Sequence, residues 1–315
     1  MSQHHKANKR FHSTPKSGAS EAIRSANKKE ETTMNRLVLR MTVCALILAS
    51  GSLAMAGRPI PDDSLARPVL VTLDGQGAAS GCYLNDGTNL YFLTAKHVLF
   101  NIPDMTLRSS KATLLSYPGD PKDQGLFKIE LNLQELNAQS QVRPHATHDV
   151  VLVRLGTFNK DGQIGFSAPV KLLQKADGPL PSGSTTGIKT FNDVLTANDI
   201  YLFGYPGSIG IEQMPQLDYN RPLLRRGIIA GKNETKKTII VDSFVYPGNS
   251  GGPVVEVEHT SLTETKFLLI GIVSEFVPFK EEWINKTHRY TNMEISNSGY
   301  CIVEPMDSVL ELLWK

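Results

Sequence analysis

This 315-residue chain has three cysteines, two tryptophans and no apolar run long enough to cross a membrane comfortably. Cys44, Cys82 and Cys301 cannot build the disulfide framework of a small secreted scaffold. The longest apolar stretch, residues 41–54, falls short of the roughly 20 residues that a spanning helix needs. Neither sign of charge dominates, with 33 Lys and Arg against 31 Asp and Glu, a formal net charge of +2. The chain carries no internal repeat, and no low-complexity tract outside its first residues. His259 and His288 have no cysteine or carboxylate partners at ligand spacing, which argues against a metal site. No cofactor motif is present.

The small positive charge is unevenly placed. Residues 1–33 are polar and basic without apolar periodicity, carrying Lys6, Lys9, Arg10, Lys16, Arg24, Lys28 and Lys29. Such a stretch is expected to be disordered, and Phe11 is its only aromatic residue, too little for a nucleic-acid arm. A second start signal follows at Met34. Arg36 and Arg40 form a basic region, residues 41–54 are apolar with small side chains, and Ala54-Met55-Ala56 is an A-x-A cleavage site. Residues 34–56 therefore read as a secretory signal peptide, with translation starting at Met34 and cleavage before Gly57. The alternative is a signal anchor. Residues 1–56 hold nine Lys/Arg and three Asp/Glu, so 24 basic and 28 acidic residues remain, a net charge of −4. That balance removes any electrostatic case for nucleic-acid binding by the mature chain. A secreted or periplasmic protein is expected, without stable membrane association once the signal is cleaved. Cys82 and Cys301 either form one bridge across a long loop or remain as two buried thiols.

Past a Pro- and Asp-containing loop at 57–67, short apolar runs alternate with turn signals. The strand candidates are 69–73, 81–84, 90–94, 112–117, 127–133 and 150–155, then 187–191, 200–204, 223–230, 238–241, 254–257, 267–273 and 300–303. Asn85-Asp86-Gly87 is a hairpin turn signal, and residues 306–315 carry the only helical spacing. About a dozen strands with no alternating helices indicate an all-β chain. Two six-stranded antiparallel barrels fit, 57–175 and 176–315, with a short C-terminal helix closing the second. The stretches 210–219 and 281–298 read as a loop and a polar insertion.

One stretch organises the rest. In Pro247-Gly248-Asn249-Ser250-Gly251-Gly252-Pro253-Val254 a serine stands among glycines with apolar runs on either side. Read blandly, this is a Gly-rich hairpin turn. Read chemically, it exposes a hydroxyl and aims backbone N–H groups at one point, which suits attack on a carbonyl and stabilisation of the oxyanion. A nucleophilic serine needs a base and the base an orienting carboxylate. Thr94-Ala95-Lys96-His97-Val98 ends one apolar run, and His148-Asp149-Val150-Val151-Leu152 opens another.

At these residues the chain resembles the chymotrypsin-like (trypsin-fold) serine peptidases, and most closely the short secreted bacterial members with T-A-x-H, H-D-[VIL]-[AV]-[VL] and G-N-S-G-G-P. The resemblance spans about residues 68–315. It implies Ser250 as nucleophile, His97 as general base and then acid, Asp149 as the carboxylate that orients the imidazole, and the N–H groups of Gly248 and Ser250 as the oxyanion hole. It implies an exported endopeptidase, acting on polypeptides as a monomer through an acyl-enzyme. It further implies substrate-binding positions. Phe244, six residues before the serine, is expected at the base of the primary pocket, with Asp242 able to enter only if the loop slips. Gly271-Ile272-Val273-Ser274 matches the strand that pairs with substrate backbone, Phe276 is expected to narrow the entrance, and Gly299 to line the opposite wall. Cleavage after small or medium aliphatic residues follows. Asn249 stands where zymogen-activated relatives carry Asp, so local bonding within the turn and activity without a second cleavage are expected. The alternatives are an inactive trypsin-fold binding module and an enzyme acting on an ester or one dedicated peptide.

Overall fold

Strands buried on both faces, not one, set the architecture. The computed structural model describes residues 60–313 apart from 75–76, 121, 208–213, 220 and 262–263. The expected leader, residues 1–56, and residues 210–213 of the expected loop at 210–219 lie outside the described residues. The first half contains β1 (Pro68–Leu73), β2 (Ala78–Asn85), β3 (Asn89–Thr94), β4 (Phe100–Asn101), β5 (Thr106–Leu107), β6 (Lys111–Ser116), β7 (Phe127–Asn132), β8 (Val142–Pro144), β9 (Val151–Phe158), β10 (Ile164–Phe166), β11 (Val170–Gln174) and β12 (Gly183–Ser184). Ten of them form one curled sheet in the order β10-β9-β3-β2-β1-β6-β7-β11, with β8 on β9 and β12 on β2. The strand count is thus higher than six, because segments at 142–144, 164–166, 170–174 and 183–184 join the sheet as well. The β12 pairing also carries the first sheet past residue 175. A one-turn helix α1 (Lys96–Leu99) follows β3, and α2 (Leu133–Ala138) follows β7, capped by the Asn132 side chain, which accepts the Glu135 N–H.

The second half is a closed antiparallel barrel of six strands. These are β13 (Asp199–Gly204), β14 (Leu223–Asn233), β15 (Thr238–Asp242), β16 (Pro253–His259), β17 (Thr265–Asn285) and β18 (Tyr290–Pro305), ordered β13-β14-β15-β18-β17-β16. Helix α3 (Met306–Leu313) ends the described chain. Residues 187–191 are not a strand: a single turn of 3-10 helix at Thr185–Gly187 leads to Ile188, which bridges Leu269 alone.

Three apolar clusters follow from the period-2 geometry of these strands. Leu90 and Phe92 of β3, with Val151, Val153 and Leu155 of β9, point into the first core. The alternate residues Tyr91, Leu93 and Leu152, with Cys82, Leu84 and Val150, point the other way. There they meet Tyr201, Phe203, Val255, Val257 and Ile272 of the second half. Met306, Val309 and Leu312, one face of α3, complete that shared layer. Ile200, Leu202, Ile239, Val241, Val254, Ile270 and Val303 fill the second barrel. Burying each such side chain stabilises by about 1.5–3 kcal/mol, so the shared layer makes the two halves one body. Cys82 lies in the shared layer and Cys301 in the second barrel's core, both buried and unpaired.

Candidate active site

The histidine is held by the end of its own strand. β3 stops at Thr94, Ala95 caps α1, and His97 stands in the single turn of α1. Lys96, buried beside it, donates from Nζ to the His145 carbonyl at 2.8 Å, and its N–H reaches the Asp149 carbonyl at 3.3 Å. The 145–149 loop is thereby tied to α1. Asp149 closes the arrangement with both oxygens. Its Oδ2 lies 2.7 Å from His97 Nδ1, and its Oδ1 accepts the His97 backbone N–H at 2.9 Å. A carboxylate on Nδ1 fixes the tautomer with the proton there and leaves Nε2 as the acceptor. Ser274 of β17 donates its hydroxyl to the same Oδ2 at 2.7 Å. Burial alone would raise the Asp149 carboxyl. The hydrogen bond and charge of His97, the Ser274 hydroxyl and the His97 N–H together outweigh it and hold the group below its ordinary range.

The serine turn is accounted for peptide by peptide. The Pro247 carbonyl accepts the Gly207 N–H at 2.8 Å, and the Gly248 carbonyl accepts the Ser80 hydroxyl at 2.6 Å. The Asn249 carbonyl accepts the Gly252 N–H at 2.9 Å, and the Ser250 carbonyl accepts the Ser80 N–H at 3.0 Å. The N–H groups of Asn249 and Gly251 are used as well, on Tyr246 and Val273. Among the described residues, the N–H groups of Gly248 and Ser250 make no hydrogen bond within the protein. All four carbonyls are turned to protein donors, so none obstructs those two N–H groups. Glycine is required here: Gly248 has φ +100°, and a Cβ on it would lie 2.3 Å from the Tyr205 carbonyl oxygen.

His97, Asp149, Ser250, Ser274 and Phe276 line one cleft of about 570 Å³ between the two halves. A second recess of about 200 Å³ on the other side shares His97 and Ser250, and adds Gly248, Val71, Leu73, Ala79 and Arg108. The Ser250 hydroxyl donates to the Ser274 carbonyl at 3.2 Å and makes no hydrogen bond to His97 in this state.

The sequence model of the trypsin-like peptidase domain matches residues 79–262, more than half of the chain and all three of these side chains. The chain belongs to the trypsin-like peptidase family. The chain has no significant match among curated proteins. Among solved structures it is similar to the HtrA-type protease AlgW with tripeptide, at 15% identity and a TM-score of 0.43, covering 79% of this chain and 60% of that one. It is also similar to the thermostable serine protease AL20 from an extremophilic microorganism, at 12% identity and a TM-score of 0.44, covering 80% and 96%. Human heparin binding protein matches at 10% identity and a TM-score of 0.44, covering 82% and 96%. The chain spans about three fifths of the AlgW protease.

The chain places its expected specificity residues unevenly. Ser274 and Phe276 are in the cleft wall. Phe244 and Gly299 adjoin each other, a Cβ on Gly299 falling 3.6 Å from the Phe244 ring, but neither lines the cleft. Phe244 is 48% exposed, and Val245, Tyr246 and Pro247 form the wall at that point. Asp242 is exposed on β15, opposite Tyr300, and does not line the cleft either. The local bonding expected of Asn249 comes from its backbone. Its side chain is buried and its Oδ1 has no partner among the described residues.

Several bonds at the site have no signature in the sequence. Ser80, fully buried in β2 of the first half, takes the Tyr205 N–H on the same hydroxyl that holds Gly248. Arg108 donates to the His97 carbonyl at 3.1 Å. His148, next to Asp149, pairs with Glu304 of β18 at 2.7 Å, where an exposed side chain is the plain reading of the sequence.

Proposed function

We propose that this serine endopeptidase is exported and cleaves polypeptides through an acyl-enzyme formed on Ser250. The observation that carries the reading is the doubly hydrogen-bonded His97–Asp149 pair facing a serine turn whose two free N–H groups belong to Gly248 and Ser250. In this reading the Ser250 hydroxyl turns about its Cα–Cβ bond from the Ser274 carbonyl to His97 Nε2 as substrate enters. Contacts of this kind often tighten only in the substrate complex. Oγ then attacks the scissile carbonyl while Nε2 takes its proton. Asp149 stabilises the imidazolium, and the N–H groups of Gly248 and Ser250 receive the oxyanion. The intermediate collapses as His97 returns the proton to the leaving amine, and water releases the acyl group by the same steps.

The acyl half of the substrate runs along Ser274 to Phe276, and the leaving half occupies the recess of Val71, Leu73, Ala79 and Arg108. The aliphatic lining of Val245 and Val273, with Phe276 beside it, supports a preference for small or medium aliphatic residues before the scissile bond. Residues 34–56 support export, and the protein acts as a monomer.

A fluorophosphonate probe tests the core of this reading. It should label Ser250, and Ser250→Ala should abolish labelling and lower turnover by roughly 10^6. Failure to label correctly folded protein would favour the binding-module alternative. Export is tested by N-terminal sequencing of secreted protein, which should begin at Gly57.

A further inference from the structure

The strand that walls the cleft does not end there. β17 passes Ser274 and Phe276 and continues, paired with β18, as a two-stranded arm of eight consecutive pairs from Pro278 opposite Asn297 to Asn285 opposite Tyr290. At about 3.3 Å per residue the arm is roughly 25 Å long. β16 pairs with β17 only as far as Ile272, so from Ser274 to Asn285 one edge of β17 has no strand beside it among the described residues. An open edge presents unpaired N–H and C=O groups that can accept another strand.

The arm's faces are unusual for a surface hairpin. The register puts Phe279, Trp283 and Tyr290 on one face and Ile284, Met293 and Ile295 on the other. Each of the six is more than half exposed. A lone two-stranded ribbon is marginal in water, and large apolar side chains clustered on one mark an interaction site. Lys280, Glu281 and Glu282 interrupt the apolar positions along β17, which limits indiscriminate sticking without covering the aromatic residues.

Continuity decides the occupant. The arm's base is the cleft wall itself, through Phe276. A polypeptide with its scissile carbonyl at Ser250, and its acyl half passing Ser274 toward Phe276, arrives at the open edge of β17 without a gap.

We propose that the arm is a substrate-recognition platform, along whose free β17 edge the N-terminal flank of an extended polypeptide adds as a further strand, its apolar side chains packing beside Phe279 and Trp283. This rests on the reading of Ser250 as nucleophile and of Ser274–Phe276 as the acyl-side wall. Backbone pairing sets the register along the edge, and packing of alternate apolar side chains on Phe279 and Trp283 supplies most of the affinity and the selectivity. The favoured substrates are unfolded chains with alternating apolar residues upstream of the cut.

Three quenched fluorogenic peptides test this on the full chain. One spans only the cleft, one adds an alternating apolar segment at the N-terminus long enough to reach Asn285, and one adds the same segment at the C-terminus. The N-terminal extension should raise kcat/KM by at least about tenfold, the size of burying one apolar side chain against Phe279 or Trp283. The C-terminal extension should not. In the doubly substituted protein, Phe279→Ser with Trp283→Ser, the long-to-short ratio should fall to about one. These side chains are exposed, so the fold is not at stake. No gain from the N-terminal extension, or a gain that survives the double substitution, overturns the proposal. So does a double variant that only dissociates a dimer in sedimentation velocity, which would make the arm a contact between copies. If the short peptide is also uncleaved and Ser250 unlabelled by fluorophosphonate, it is the peptidase reading that fails, and the platform with it.

Discussion

Ser80→Ala separates the turn's support from its chemistry. The substitution deletes one oxygen. The Ser80 N–H, which holds the Ser250 carbonyl, survives because it is backbone. The oxygen removed bridges a buried group and a part-buried one, accepting the Tyr205 N–H at 2.9 Å and donating to the Gly248 carbonyl at 2.6 Å, in a residue with no solvent exposure. Leaving both unpaired costs about 2–4 kcal/mol of stability, or about 5–15 °C in Tm for a body of this size. The catalytic effect has a different origin. The Gly248 carbonyl belongs to the peptide that lies between the two N–H groups proposed to receive the oxyanion. Once released, that peptide can rock, and both N–H groups move with it. Losing one such donor outright costs about 10²–10³ in kcat. Loosening both without removing either should cost about tenfold to hundredfold. KM should move little, because ground-state contacts in the cleft are untouched. The assay is kcat and KM on a short peptide, with the inhibition constant of a peptide boronate, whose tetrahedral adduct uses the same N–H groups. Boronate affinity should fall in step with kcat. A Tm decrease with kcat and boronate affinity unchanged would refute the reasoning and reduce Ser80 to a strut between the halves.

Further outcomes follow from the same geometry. Gly248→Ala must move the turn, since its Cβ would meet the Tyr205 carbonyl oxygen at 2.3 Å, and kcat should drop by about 10²–10³ with the protein still folded by circular dichroism. Ser274→Ala removes a donor that helps hold Asp149 below the ordinary carboxylate value of 3.8. A depressed carboxylate stabilises above its unfolded pKa and loses that contribution as pH falls through the folded one. Urea melts should therefore show the variant less stable at neutral pH, with the gap closing below pH 3.8; a gap constant across that range would contradict the assignment. Burial pushes the Cys82 and Cys301 thiols up to about 12, with Arg67 opposing at Cys82. Neither should react with a thiol reagent at pH near 8 until denaturant is added, and peptide mapping that finds them joined would contradict the two separate cores.

What the sequence disclosed and what it hid divide along a physical line. Leu90-Tyr91-Phe92-Leu93 and Val150-Val151-Leu152-Val153 were legible because strands buried on both faces become continuous apolar runs, and these two supply His97 and Asp149 at their ends. The serine turn was legible because positive φ and close approach at Gly248 exclude other residues. The arm was not. Its apolar residues fall on both faces among Lys and Glu, so 281–298 shows neither clean alternation nor an apolar run. The short strands β8, β10 and β12 have too few residues to carry a period, and residues 187–191 look apolar enough for a strand, yet only Ile188 finds a bridge. Phe244 illustrates a different limit. Counting six residues back from Ser250 gives its position along the chain, but whether its ring enters the cleft depends on how the loop to Val245 lies against Gly299.

The cross-connections were invisible for the same reason, and they carry the tightest constraint on the site. Each half holds the functional group of the other. Ser274, from the second barrel, donates to Asp149 of the first half, and Ser80, from the first half, holds the turn that bears Ser250 in the second barrel. Neither bond can form before the shared layer of Tyr91, Leu93, Leu152, Phe203, Val255 and Leu312 has packed, because that layer sets how the halves meet. The His97–Asp149 pair lies wholly within the first half, and the Ser250 turn belongs to the second. Their alignment belongs to neither half alone, and two hydroxyls buried at the junction, 2.7 Å and 2.6 Å from their acceptors, tie it to the docking of the barrels. A half that folded alone would hold only part of the site: His97 and Asp149 without the nucleophile, or Ser250 without its base.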